Sequence, residues 1–153
     1  MTAHILERSQ FVPRPIDEVF AFFSDAGNLE RITPTWLSFR IREPRPAEIR
    51  AGTLLHYLIR WHGIPLSWTT NILVWSPPRL FVDVQLRGPY RVWHHTHRFE
   101  AVQGGTRITD LVRYRLPLGP LGTMIHQWRV RREVEASFDH RRDRIAEIFP
   151  GTD

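Results

Sequence analysis

YRVWHHTHRFE at residues 90–100 and TRITDLVRYRL at residues 106–116 flank a Gly104-Gly105 turn, and the alternation of these two runs decides the fold. Successive side chains of a strand point to opposite faces. In the first run one face carries Trp93, His95, His97 and Phe99; the other carries Val92, His94, Thr96, Arg98 and Glu100. Arg98 and Glu100 belong in water, so the first set faces inward. In the second run Arg107, Thr109, Leu111, Arg113 and Arg115 share the outer face, which leaves Ile108, Asp110, Val112, Tyr114 and Leu116 inside. Three clustered histidines thus reduce to an inward pair, His95 and His97. A hairpin closed at the glycines brings His97 opposite Asp110, or within one pair of it; a slip of two residues pairs His95 instead.

The same period of two governs residues 36–116. WLSFRI, TLLHYLIRW, LSWTTNILVW and LFVDVQL precede the hairpin, separated by Pro44/Pro46, Gly63-Ile64-Pro65, Ser76-Pro77-Pro78 and Gly88-Pro89. Such short connections suit antiparallel neighbours. Upstream, ILERSQFV (residues 5–12) reads as a first strand. Pro15 then opens a helix with Asp17 and Glu18 in its first turn and Ile16, Val19, Phe20 and Phe23 on one stripe. A second short helix is expected at about residues 26–32. Downstream, residues 121–149 carry Leu121, Ile125, Trp128, Val134, Phe138, Ile145 and Phe149 at near-helical spacing, a helix of about 40 Å at 1.5 Å per residue. A helix that long with one apolar face needs a sheet to lie on. The expected class is α+β, a single domain over residues 1–153 with about seven strands.

Composition narrows the function classes. The 153 residues are 42% hydrophobic and 24% charged, with no cysteine, which excludes disulfides, thiolate zinc sites and a cysteine nucleophile. The N-terminus lacks an apolar signal region and no apolar run could span a bilayer, so a cytoplasmic protein without membrane insertion is expected. The net charge of +5 comes from a chain whose 21 basic residues are all arginine. These are scattered, or mixed with acids near the C-terminus (Arg129, Arg131, Arg132, Arg141, Arg142, Arg144) as a solvated helix face. No nucleic-acid-binding signature accompanies them, and no nucleic-acid partner is expected.

The entry segment FVPRPIDEVFAFFSDAGNLERITP (residues 11–34) and the pattern F-x-D-x-Q-x-x-G-P-x-x-x-W-x-H-x-H-x-F from Phe81 to Phe99 resemble the START-like, Bet v 1-type superfamily of polyketide cyclases and lipid-transport proteins (SRPBCC). The likeness spans essentially the whole chain and is nearest the bacterial stand-alone ligand-binding branch. It implies a helix-grip fold, in which the sheet wraps the C-terminal helix around an apolar cavity. Chemistry does not follow from it, because the fold hosts carriers, sensors, cyclases and hydrolases.

Three chemistries suit an inward histidine–carboxylate couple, taken here as His97–Asp110. It can orient a ligand on the wall of a cavity for a small hydrophobic or aromatic molecule such as a lipid, quinone or polyketide. It can act as general acid/base in a cyclase, dehydratase or hydrolase, with Asp110 holding the imidazole. It can ligate metal through His95-x-His97 and Asp110, a weak signal because His56 and His62 do not join them. The first is preferred, with no metal or cofactor, in a monomer or homodimer. The expected lining is Tyr57, Trp68, Trp93, His95, His97, Phe99, Asp110, Val112, Tyr114 and Trp128, while Trp36 and Trp75 fill core. His94, His126 and His140 are expected on surfaces. No serine sits in a nucleophile elbow and no glycine-rich loop matches a phosphate cradle. The face of residues 80–87 stays open: a two-residue turn at Gly88-Pro89 puts Val82 and Val84 beside His95, a longer one puts Asp83 and Gln85 there.

Overall fold

The computed structural model describes residues 3–151. The strands β1 (His4–Val12), β2 (Arg40–Ile41), β3 (Leu54–Trp61), β4 (Ile64–Ser76), β5 (Leu80–Arg87), β6 (Val92–Val102) and β7 (Gly105–Arg115) form one antiparallel sheet, ordered β1-β7-β6-β5-β4-β3-β2. Helices α1 (Ile16–Phe23) and α2 (Asn28–Ile32) follow β1. The chain ends in α3 (Gly119–Ile125), a π-helical segment (His126–Val130) and α4 (Arg131–Ile148), continuous with one another. This is the helix-grip arrangement.

Local sequence explains most boundaries. Pro15 sits extended before α1, whose first turn holds Asp17 and Glu18 at the positive end of the dipole. The β6–β7 hairpin turns on Gly104 (φ +83°), and its register pairs His97 with Asp110. Gly105 is fixed by space: a Cβ there would run into the Val12 carbonyl oxygen, where β1 ends against the hairpin.

Two expectations are corrected. Residues 36–41 do not form a strand. Thr35–Leu37 is one 3₁₀ turn closed by Ser38 in the left-handed region, and only Arg40 and Ile41 pair with the sheet. Trp36 consequently stands 54% exposed instead of filling core, whereas Trp75 packs against two core clusters.

The C-terminal helix turns a different face to the sheet. Its buried residues are Gly122, His126, Val130, Val134, Phe138, Arg141 and Ile145, mostly four apart. A regular α-helix rotates about 40° past a full turn every four residues, so a seam of that spacing would wander off the sheet. The wider π turn takes up this drift. Leu121 and Trp128, placed inward by a plain helical period, are therefore exposed, Trp128 by 79%.

Three buried clusters frame the interior. Val19, Phe20 and Phe22 of α1 meet Phe81, Phe99, Ile108 and Ile145 at one end. Leu6, Val112 and Tyr114 meet Val130, Val134 and Phe138 where α4 crosses β1 and β7. Ala26, Ile41, Ile49, Leu55, Tyr57 and Ile72 close the β2–β4 side. Gly105→Ala is expected to lower the unfolding free energy by about 1–3 kcal/mol, because an added methyl meets backbone that cannot turn aside. A lower urea midpoint checks this, with Gly151→Ala, whose Cβ meets nothing, as the unchanged control.

Candidate functional site

β5 pairs with β6 so that Asp83 lies opposite His95 and Phe81 opposite His97. That register follows from a loop at 88–91 longer than a two-residue turn. Gln85 clamps it, donating to the Tyr90 carbonyl (2.6 Å) and accepting from the Tyr90 backbone N–H (3.2 Å). Asp83 and Gln85 thereby share the inner face with His95 and Trp93, and the valines of β5 turn outward.

The result is a buried cluster of five charged or titratable side chains. His95 Nε2 lies 2.8 Å from Asp110 Oδ1, and His97 Nε2 lies 2.5 Å from Asp83 Oδ2. Arg141 of α4 reaches in with Nη2 3.4 Å from Asp110 Oδ1 and 3.3 Å from His97 Nδ1. The two imidazoles stack with centroids 3.6 Å apart, and Phe81 stacks on His97 at 3.9 Å. Because Arg141 can only donate, His97 Nδ1 accepts and Nε2 carries the proton offered to Asp83.

The expected His97–Asp110 couple is thus rearranged. Those residues are cross-strand neighbours, but their nearest side-chain atoms are 3.4 Å apart, and each histidine takes its closest bond from a different aspartate. Arg141, grouped by sequence with a solvated face, is 8% exposed. Its position is set by the helical phase, and no feature of the RRDR segment in residues 141–144 distinguishes it.

Burial and charge oppose each other here. Burial alone would raise the pKa of Asp110, but Arg141 and the hydrogen bonds from His95 and His97 overcome it and hold the carboxyl well below the usual range. Asp83 is likewise lowered against its burial, first by the His97 hydrogen bond. Burial, then the neighbouring His97, pushes His95 down to about 4, so it is neutral at pH 7.

Against this cluster lies a cavity of about 1010 Å³ between β3–β6 and the helices. Tyr57, Trp68, Trp93, His95 and His97 line it. Phe99, Val112, Tyr114 and Asp110 do not. Phe99 packs under α1, Val112 under α4, and Asp110 sits behind the histidines. The Tyr114 hydroxyl instead shares a hydrogen bond with His126 Nε2 at 2.7 Å. His126 is itself buried and stacked on His4, against its expected surface position. Trp128 points to solvent. Asp83, left open by the sequence, also lines it, as do Trp61 and Phe138, and the lining further includes Tyr90, Glu133 and Arg141, which the sequence did not single out for the cavity. At the rim, Trp61 Nε1 donates to Glu133 (2.6 Å) and His62 Nε2 meets the same carboxylate (2.7 Å), clasping the β3–β4 turn to α4.

Among the described residues, Asp83, His95 and His97 offer donor atoms within 4.8 Å of one another, the one grouping close enough to hold an ion. Their geometry disfavours it: both Nε2 atoms are engaged by carboxylates, and the Arg141 guanidinium stands alongside on His97 Nδ1.

An antiparallel sheet gripping a long helix, with an apolar cavity between them, defines a START/Bet v 1-like domain. The chain belongs to the polyketide cyclase / dehydrase and lipid transport family, whose pattern it matches over residues 12–138. Among solved structures it is similar to protein Ms6760 from Mycobacterium smegmatis (15% identity, TM-score 0.69, covering 94% of this chain and 89% of that one). It is also similar to TTHA0849 from Thermus thermophilus (16%, 0.66, 95% and 99%) and to Ara h 8.0201 (17%, 0.63, 95% and 99%). At these identities the likeness speaks for the fold alone. No curated protein matches the sequence. No helix among the described residues is long and apolar enough to cross a membrane.

His95 makes stability depend on pH. Its folded pKa lies below its unfolded value of about 6.5, so between roughly pH 6.5 and 4 the unfolded chain binds a proton that the folded chain refuses. Stability is expected to fall by on the order of 3 kcal/mol over that window. The depressed carboxylates act in the same direction at lower pH: their stabilisation is present above about 3.9 and lost as pH falls through their folded values. Urea midpoints between pH 7 and 4 measure the first effect, and His95→Gln should flatten the slope. A wild-type midpoint unchanged from pH 6.5 to 4.5 contradicts the assignment.

Proposed function

We propose that the protein binds a small hydrophobic or aromatic molecule, of lipid, quinone or polyketide type, in the cavity between sheet and C-terminal helix. The observation that carries this reading is the cavity itself. Its volume of about 1010 Å³ stands at the upper end for small-molecule sites, which run to about 1,000 Å³, and its walls are aromatic around a few convergent polar groups. Trp68 and Trp93 meet edge to face at 5.4 Å and Tyr90 packs on both, a rigid apolar surface that loses little entropy when a ligand arrives.

The polar groups favour holding a ligand over transferring protons. A general base needs a free nitrogen within reach of its substrate. His97 has none, since Asp83 takes Nε2 and Arg141 takes Nδ1. His95 keeps Nδ1 more open, 3.8 Å from Asp83, but a group titrating at about 4 is a weak base at neutral pH. A cyclase, dehydratase or hydrolase built on His97 and Asp110 would have to break this network before each turnover.

Thermal-shift screening against lipids, quinones and aromatic polyketides tests the proposal. At least one class is expected to raise the melting temperature, and Ser137→Trp, which puts an indole into the cavity from α4, should weaken that ligand by about tenfold or more while the protein stays folded. If no class stabilises the protein, or if a ligand binds the Ser137→Trp variant unchanged, the cavity is not the binding site.

A further inference from the structure

The polar floor of the cavity carries an unbalanced charge. Asp83 and Asp110 are both ionised, His97 is a neutral donor because its Nδ1 accepts from Arg141, and burial keeps His95 neutral, so the Arg141 guanidinium offsets only one carboxylate. Asp110 is the one it offsets: Arg141 contacts Asp110 at 3.4 Å, and His95 fills in behind. Asp83 is left with a single close partner, the His97 N–H on Oδ2. Its other oxygen, Oδ1, accepts no hydrogen bond among the described residues and is not sealed in the interior, and the side chain lines the cavity.

Arg141 is the poorer anchor. Its Nη2 is committed to His97 and Asp110, and its Nε is buried without a partner, with the guanidinium carbon 5.2 Å from the Phe23 ring and 5.9 Å from the Phe138 ring. Its Nη1 donates no hydrogen bond among the described residues, but the charge behind it is already matched by Asp110. An acidic ligand would bring a second uncompensated negative charge into a low-dielectric pocket, whereas a cation would neutralise the one already there. The surroundings suit a cation as well: Trp68, Trp93, Tyr57 and Tyr90 present aromatic rings to the same cavity, and ring faces attract positive charge.

From this we infer that the cavity selects an apolar molecule carrying a protonated amine, with the ammonium on Asp83 Oδ1 and the apolar body among the tryptophans. The inference rests on the cavity-binding reading above and deepens it. It also opposes the overall charge, because a protein of net charge +5 would by long-range attraction alone favour the acid.

The test uses three probes that share one body and differ in the head: pyrenemethylamine, pyreneacetate and methylpyrene, titrated at pH 7 with pyrene fluorescence as the readout. The amine is expected to bind at least about tenfold more tightly than either of the others, the worth of one charge-assisted hydrogen bond. Asp83→Asn should remove that advantage while leaving methylpyrene within about threefold of its wild-type affinity. An acid that binds as tightly as the amine, or an amine preference that survives Asp83→Asn, overturns the inference. If Asp83→Asn does not fold, the amine-to-acid ratio of the wild-type protein decides alone. Binding of all three probes without preference refutes the ammonium site and leaves the cavity reading standing; binding of none refutes both.

Discussion

A guanidinium on the last helix reaches a carboxylate on the sheet, and the interior is arranged around that contact. Arg141 and Asp110 are each about 10% exposed in their side chains, so neither charge has bulk water to stabilise it. Desolvation of such a pair can outweigh its mutual attraction unless the remaining donors and acceptors are filled. Here His95 and His97 supply those bonds, and Asp83 receives the second imidazole. The network is therefore weak evidence for stability and stronger evidence for register: only one relation of β5 to β6, of β6 to β7 and of α4 to the sheet satisfies all five groups.

The same arrangement keeps a cavity open. The apolar clusters lie at the α1 end, beneath α4 and at the β2–β4 side, leaving the space between them unfilled. Aromatic side chains can border such a void because their shape is held by edge-to-face packing with one another. Glu133 holds the β3–β4 turn to the helix across the rim, a contact of polar groups that water can replace far more readily than it can replace the buried core.

Much of this was legible from alternation alone. The outward arginines of residues 107–115 fix the face of Asp110, and the pair Arg98 and Glu100 fixes that of His95 and His97, because charged side chains sort to water independently of what lies opposite. The turn glycines set the pairing of His97 with Asp110. Asp83 was open for a definite reason: LFVDVQLR reads equally well with either face inward, and the choice hangs on whether the loop at 88–91 is two residues or longer, which Gln85 settles by a contact with Tyr90. Trp128 is misplaced because it lies in a π turn that no local pattern in HQWRV announces. Arg141 is misplaced for another reason: it sits on the stripe of Val134, Phe138 and Ile145, but its charged neighbours in residues 141–144 point to a solvated face.

Most elements, their order and the inward faces of the histidines and Asp110 were readable from the chain, since strand alternation, helix stripes and turn chemistry act between residues near one another; the strand expected at residues 36–41 and the final choice of hairpin register were not. Tertiary structure decided which carboxylate each histidine holds, which of the arginines is buried, and where the core stops and the cavity begins. Those depend on the relative placement of β5, β6 and α4, elements up to about sixty residues apart whose packing no single segment encodes.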